Sequence, residues 1–259
     1  MRVLVTGSSD GIGARTAQDL VAAGHEVVLH ARSAVRAQDA RAAVPGAAEV
    51  LVGDLASLAQ TRALGEAAAD SAARSGGFGA VVHNAGVGGS PQRAVTEDGL
   101  SRIFQVNVLA PYVLTALVPR PARLVYLTSG LEAGGRADLE DLQHERGTWN
   151  GMQAYSDSKL LDVVLAFAVA RRWGDVLSNA VDPGWIRTRM GGPSATDELP
   201  EGADTQVWLA TSDDPAARVT GRYFKRRRQL AANPAASSPA VQDGLLAACE
   251  RLSGVALPA

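Results

Sequence analysis

The chain has 259 residues, 46% hydrophobic and 20% charged, with a formal net charge of -2. That composition excludes a disordered chain, supplies apolar material for a large core, and gives no bulk attraction to polyanions, so no nucleic-acid partner is expected. One cysteine, Cys249, cannot close an intramolecular disulfide, and Met1 runs straight into Arg2-Val3-Leu4-Val5-Thr6 without a leader pattern, so a reducing, cytoplasmic location is expected.

Apolar, β-branched runs at Val3 to Thr6, Glu26 to His30, Glu49 to Val52, Ala80 to His83, Leu124 to Thr128 and Val176 to Val181 predict strands, separated by alanine-rich helical segments. Strands apolar on both faces and alternating with helices specify a parallel sheet covered on both sides. The expected fold is a doubly wound α/β sheet forming one domain over residues 1–259, and ligands of such sheets sit at the carboxyl ends of the strands.

The first strand runs into Thr6-Gly7-Ser8-Ser9-Asp10-Gly11-Ile12-Gly13, and a helix is predicted from Ala14 to Ala23. Glycines there let the backbone approach a pyrophosphate, whose charge the free N–H groups of a helix start stabilise. The second strand ends in His30-Ala31-Arg32-Ser33. An acid at that point accepts the ribose hydroxyls of NAD, whereas arginine favours the 2′-phosphate of NADP, so Arg32 points to NADP(H) over NAD(H). Asp54-Leu55 and Asn84-Ala85-Gly86 follow the third and fourth strands; Asp54 is also placed to cap the helix beginning near Ser57.

Tyr155 and Lys159 lie four apart on a helix predicted from Gln153 to Trp173, so their side chains share a face. Carbonyl reduction needs a proton donor, and a phenol, with its ordinary pKa of about 10, serves near neutrality when a cation stabilises its phenolate. The apolar run Val163 to Ala170 on that helix is far short of the roughly 30 Å of hydrocarbon a membrane span must cross, and reads as buried. Asp182-Pro183-Gly184-Trp185-Ile186-Arg187-Thr188 leaves the sixth strand as a turn, and residues 189–204 are read as a flap, with helical signals resuming at Ala203. Lys225-Arg226-Arg227-Arg228 reads as a solvated or locally paired surface and Asn233 to Pro239 as a loop, followed by a final helix. No metal site is expected.

Several of these motifs in register resemble the short-chain dehydrogenase/reductase family over about residues 2 to 190. They are Thr6-Gly-x-x-x-Gly11-x-Gly13, His83-Asn84-Ala85-Gly86, Asn107 within Gln105-Val106-Asn107-Val108, Ser129 after the fifth strand, Tyr155-Ser-Asp-Ser-Lys159, and Asp182-Pro183-Gly184. His83 stands where the family more usually has asparagine. The long segment Leu131 to Ala154, with Asp98-Gly99-Leu100 and Gly221-Arg-Tyr-Phe224, resembles the retinol-dehydrogenase-like branch.

The resemblance implies an NADP-dependent oxidoreductase moving a hydride between nicotinamide and a small carbonyl or alcohol substrate. In it Tyr155 is the acid/base, Lys159 stabilises the phenolate and binds the nicotinamide ribose, Ser129 hydrogen-bonds the substrate oxygen, and Asn107 holds the relay geometry. Cofactor contacts are implied at Gly7, Ser9, Asp10, Ile12, Arg32, Asp54, Leu55, Asn84, Ala85, Gly86, Tyr155, Lys159, Pro183, Ile186 and Thr188. Trp149, Met152, Trp185 and Met190 are candidate pocket walls. The alternatives are an NAD-dependent alcohol dehydrogenase on the same fold and a dinucleotide-binding sensor or scaffold without turnover. A homo-oligomer is possible through the apolar helix face from Lys159 to Ala170, which can equally pack on the sheet.

Overall fold

Successive side chains of a strand point to opposite faces, and this chain makes both faces apolar. The computed structural model describes residues 1–259. In β1 (Arg2–Val5) Leu4 packs on one side of the sheet and Val3 and Val5 on the other. The same alternation splits Val28 from Val27 and Leu29 in β2 (Glu26–Ala31), Val81 from Ala80 and Val82 in β4 (Ala80–His83), and Tyr126 from Val125 and Leu127 in β5 (Arg123–Leu127). With β3 (Glu49–Val52), β6 (Leu177–Val181), β7 (Tyr223–Lys225) and β8 (Arg228–Leu230), the sheet has the order β3-β2-β1-β4-β5-β6-β7-β8. Every pairing is parallel except β7 with β8. The order reverses between β1 and β4, so the crevice opens at their carboxyl ends.

Helices α1 (Gly11–Ala22), α2 (Ala34–Ala43) and α7 (Leu199–Thr211) cover one face, burying Ala17, Leu20, Ala40 and Leu209. The other face carries α3 (Leu58–Ser75), α5 (Ala110–Leu117) and α6 (Gly151–Arg172), with α8 (Pro239–Ser253) packed outside α6. Leu160, Val164 and Leu165 of α6 are completely buried, each such side chain contributing roughly 1.5–3 kcal/mol. The apolar face of α6 is therefore covered by its own sheet and by α8. No helix is long and apolar enough to cross a membrane.

The six predicted strands form within a residue or two of their expected limits, and the expected final helix is α8, which begins at Pro239. Four boundaries differ for local reasons. The Asn150 side chain accepts the Met152 and Gln153 N–H groups, so α6 starts at Gly151 rather than Gln153. Ser57, not Asp54, caps α3 by accepting from Gln60; Asp54 instead closes a turn onto the Ala56 N–H. The Glu201 carboxylate reaches back to the Glu198 N–H, with Pro200 in the first turn, so α7 starts at Leu199 and the loop ends there instead of at residue 204. The basic run is the turn of a β7–β8 hairpin, with Arg226 and Arg227 at φ 49° and 57°. Three of its four cations are paired locally, Lys225 with Asp182 at 2.8 Å, Arg226 with Asp197 at 3.0 Å, and Arg227 with Asp204.

Candidate functional site

At the end of β1 the backbone comes closer than side chains allow. A Cβ on Gly13 would lie 2.3 Å from Asn84 Nδ2 and 2.4 Å from the Gly7 carbonyl, and one on Gly7, at φ 63°, would lie 2.9 Å from Ala85 Cα. The turn is held from three sides. Asn84 Nδ2 donates to the Thr6 carbonyl at 2.8 Å, the Asn84 and Ala85 N–H groups both donate to Thr6 Oγ1 at 3.0 Å, and the Gly7 N–H donates to His30 Nδ1 at 3.0 Å. The Asp10 carboxylate does not cap α1. It turns to Arg36 at 2.6 Å and Arg189 at 3.5 Å, leaving the N–H groups of the first helical turn open to an anion. This cradle fits a dinucleotide pyrophosphate.

A cleft of about 690 Å³ extends from this cradle along the strand ends. At one end lie Arg32, exposed and without a hydrogen-bonding or ionic partner, and Arg36. Arg36 Nη2 donates to Ser9 Oγ at 3.0 Å and pairs with Asp10. Arg36 was not singled out by the sequence, although its i,i+4 spacing from Arg32, across the start of α2, could have indicated it. Two arginines and a hydroxyl make a cationic pocket suited to a phosphate. Arg15, by contrast, pairs with Asp19 at 2.8 Å.

At the other end Tyr155 and Lys159 line the cleft together, with Lys159 Nζ 5.8 Å from the Tyr155 ring centroid. Lys159 is buried and donates to the Leu127 carbonyl at 2.9 Å and Asp162 Oδ2 at 2.7 Å. Burial works against its charge, and the Asp162 carboxylate with Tyr155 holds its pKa above the ordinary value. Asn107 lies in a π-helical turn, Gln105–Leu109, between α4 (Arg102–Phe104) and α5; such turns commonly re-aim side chains at functional sites. Its carboxamide accepts from Val87 N at 2.8 Å and donates to the Val87 carbonyl at 3.1 Å and Ser158 Oγ at 2.9 Å. A Cβ on Gly86 would be 3.4 Å from Asn107 Oδ1 and 3.6 Å from Lys159 Nζ, so these groups meet around one glycine.

Of the other sequence candidates, Gly7, Ser9, Asp10, Ile12, Asp54, Leu55, Asn84, Ala85, Gly86, Pro183 and Thr188 line the cleft. Ile186 does not: its side chain is buried against Gly202, and it bridges to Asp197. Ser129 follows β5 without lining the cleft, and its hydroxyl accepts from Leu131 N at 3.3 Å, a turn-capping bond. Met190 lines the cleft, and Met152 and Trp185 are 59% and 52% exposed, so neither is core packing. Trp149 is engaged elsewhere, donating to the Ser90 carbonyl at 2.9 Å and meeting His144 edge-on. His83 is a buried packing residue. It stacks on Tyr126 at 4.7 Å and bonds Thr115 at 3.1 Å, and burial pushes its pKa down to about 3.

Comparison with known proteins matches residues 1–129 to the short chain dehydrogenase family. An uncharacterized oxidoreductase of Emericella nidulans is 41% identical over 263 residues, covering 100% of this chain and 99% of that one. Human retinol dehydrogenase 14 is 31% identical over 264 residues, covering 86% of this chain and 77% of that one. A blue fluorescent protein from a metagenomic library, solved in complex with NADPH, superposes with a TM-score of 0.69 at 27% identity over 86% of this chain and 95% of that one.

Proposed function

Because the chain belongs to the short-chain dehydrogenase/reductase family of NAD(P)-binding oxidoreductases, in its retinol-dehydrogenase-like branch, we propose that it reduces a carbonyl or oxidises an alcohol with NADP(H). The observation that carries this reading is the pairing of Tyr155 and Lys159 in the wall of the cleft that begins at the glycine cradle. The nicotinamide, when bound, supplies or accepts the hydride. Everything else is work for the chain's own groups.

Tyr155 Oη gives its proton to the oxygen that gains charge in reduction and recovers one in the opposite direction. The Lys159 ammonium, held charged inside the protein, favours the phenolate that remains. Its remaining N–H is available to the ribose hydroxyls. Asn107 fixes the backbone at Val87 and the hydroxyl of Ser158 beside Lys159, so its part is to hold the relay in place. Ser129, whose hydroxyl accepts from Leu131 N and keeps its own proton to donate, is assigned the hydrogen bond to the substrate oxygen. Gly7 to Gly13 with the Thr188 hydroxyl bind the pyrophosphate, Arg32 and Arg36 with Ser9 the 2′-phosphate, and Pro183 to Ile186 the nicotinamide end.

The preference for NADP(H) rests on the unpaired Arg32 and on the absence of a carboxylate at the end of β2, where Ala31 stands. Met190 gives the cleft an apolar wall, and the loop up to Glu198 serves as its flap. The test is a product-identified screen of aldehydes, ketones and lipophilic alcohols with both cofactors. Turnover faster with NADPH than NADH supports the reading; tight cofactor binding without hydride transfer to any member would instead favour a sensor.

A further inference from the structure

Three residues after Lys159, Asp162 sits within Leu160-Leu161-Asp162-Val163-Val164-Leu165, a stretch of α6 that is buried throughout. A carboxylate among leucines and valines carries a heavy desolvation cost unless a cation meets it. One does: Lys159 Nζ lies 2.7 Å from Asp162 Oδ2, and the two side chains are only 6% and 3% exposed. The i,i+3 spacing puts both on one face of the helix. Lys159 also donates to the Leu127 carbonyl at 2.9 Å. Of the three N–H groups of an ammonium, two are committed inside the protein and one is left for the cleft.

We propose that Asp162 is a positioning residue for the acid/base pair: its carboxylate fixes the Lys159 ammonium at the cleft floor and offsets part of its charge, so that Tyr155 faces an ion pair rather than a lone cation. The inference rests on Tyr155 being the proton-transfer group. It gives the catalytic cation a set position and a tempered field.

Few other charges reach this pair. On α6 itself Tyr155 lies one turn before Lys159, and from β5 Tyr126 approaches Asp162, its phenol pushed far up by burial and further by that carboxylate. Behind Tyr126 stand Thr115 and His83, and burial keeps that imidazole neutral. Asn107 and Ser158 are uncharged, and Asp157 turns away to the Arg136 N–H and to His144. Burial pushes the Asp162 carboxyl up to about 6, against the pull of Lys159, so the offset is present at neutral pH and lost in weak acid.

The free protein offers a readout that needs neither cofactor nor substrate. It has 4 tyrosines, and burial holds the phenols of Tyr112, Tyr126 and Tyr223 protonated far above their ordinary range. The tyrosinate absorbance step that is present in the wild type and missing in Tyr155→Phe belongs to Tyr155. Asp162→Asn keeps the shape and an oxygen for the ammonium but removes the charge. Its absorbance step is expected to move to lower pH by about one unit, the effect of a single charge several ångströms away across a partly hydrated site. The rising limb of kcat/KM for alcohol oxidation should move in the same direction by the same amount.

Asp162→Ser, smaller and equally uncharged, serves if the asparagine variant does not fold. A folded, uncharged variant whose absorbance step stays at the wild-type pH overturns the proposal. The two readings fail separately. Normal turnover by Tyr155→Phe would remove the function assigned to Tyr155, whereas the coupling to Asp162 is read on the free protein by absorbance alone.

Discussion

His30 Nδ1 accepts the Gly7 N–H at 3.0 Å while its Nε2 donates to the Gly53 carbonyl at 2.8 Å, so one neutral ring ties the glycine turn to the end of β3. Burial pushes its pKa below the ordinary value, against the Gly53 hydrogen bond and Asp54. His83 is pushed the same way, to about 3. For both rings the unfolded chain takes up the proton first. The stability they contribute is complete above the ordinary value of 6.5 and is lost as pH falls below it, for His83 down toward 3. These two rings should therefore take on the order of a few kcal/mol from urea-unfolding stability between neutral and weakly acid pH, offset in part by Asp162, whose raised pKa works in the opposite direction. His83→Asn should lose distinctly less over the same range, and equal slopes would contradict the buried neutral assignment.

Gly13→Ala tests the cradle. Its new Cβ would displace either Asn84 or the Gly7 carbonyl, and overpacking of this kind costs roughly 1–3 kcal/mol. Thermal melting should fall accordingly, and NADPH affinity measured by fluorescence titration should drop more than tenfold. Gly24→Ala is a control for a glycine with open space around it but positive φ; it should lower the melting temperature without changing cofactor affinity.

Arg32→Glu and Arg36→Glu test the cofactor preference. Each charge-assisted hydrogen bond to a phosphate is worth about 1.5–3 kcal/mol, so Arg32→Glu should weaken NADPH by at least about tenfold and NADH much less. Arg36→Glu also releases Asp10 and Ser9, so some loss of NADH binding should accompany the larger loss of NADPH. Equal losses with both cofactors in Arg32→Glu would refute the 2′-phosphate role.

Most of the scaffold is legible in the sequence because the central strands are buried on both faces and leave continuous apolar runs. Tyr155, Lys159 and the glycine cradle are legible because their spacing carries chemistry. The β7–β8 hairpin is not, since each strand has three residues and its turn is built from arginines held at positive φ rather than from glycine or asparagine. The π-helical turn at Asn107 leaves no composition signal. Ile186 is expected to meet the cofactor through its backbone, and its buried side chain, packed against Gly202, leaves that expectation where it was. Asp162 read as the boundary of an apolar run, although a lone acid three residues after a lysine, inside a buried helix, is itself a signal of a paired charge.

The central claim is that Tyr155 moves the proton, and Tyr155→Phe measures it directly when turnover and NADPH binding are followed on the same protein. Removing a general acid costs roughly 10²–10⁴-fold in rate. The account predicts a loss of kcat of that size with NADPH affinity largely retained, because the hydroxyl's main work is the proton step and the ring stays in place. A variant that binds NADPH normally and turns over near the wild-type rate would contradict it.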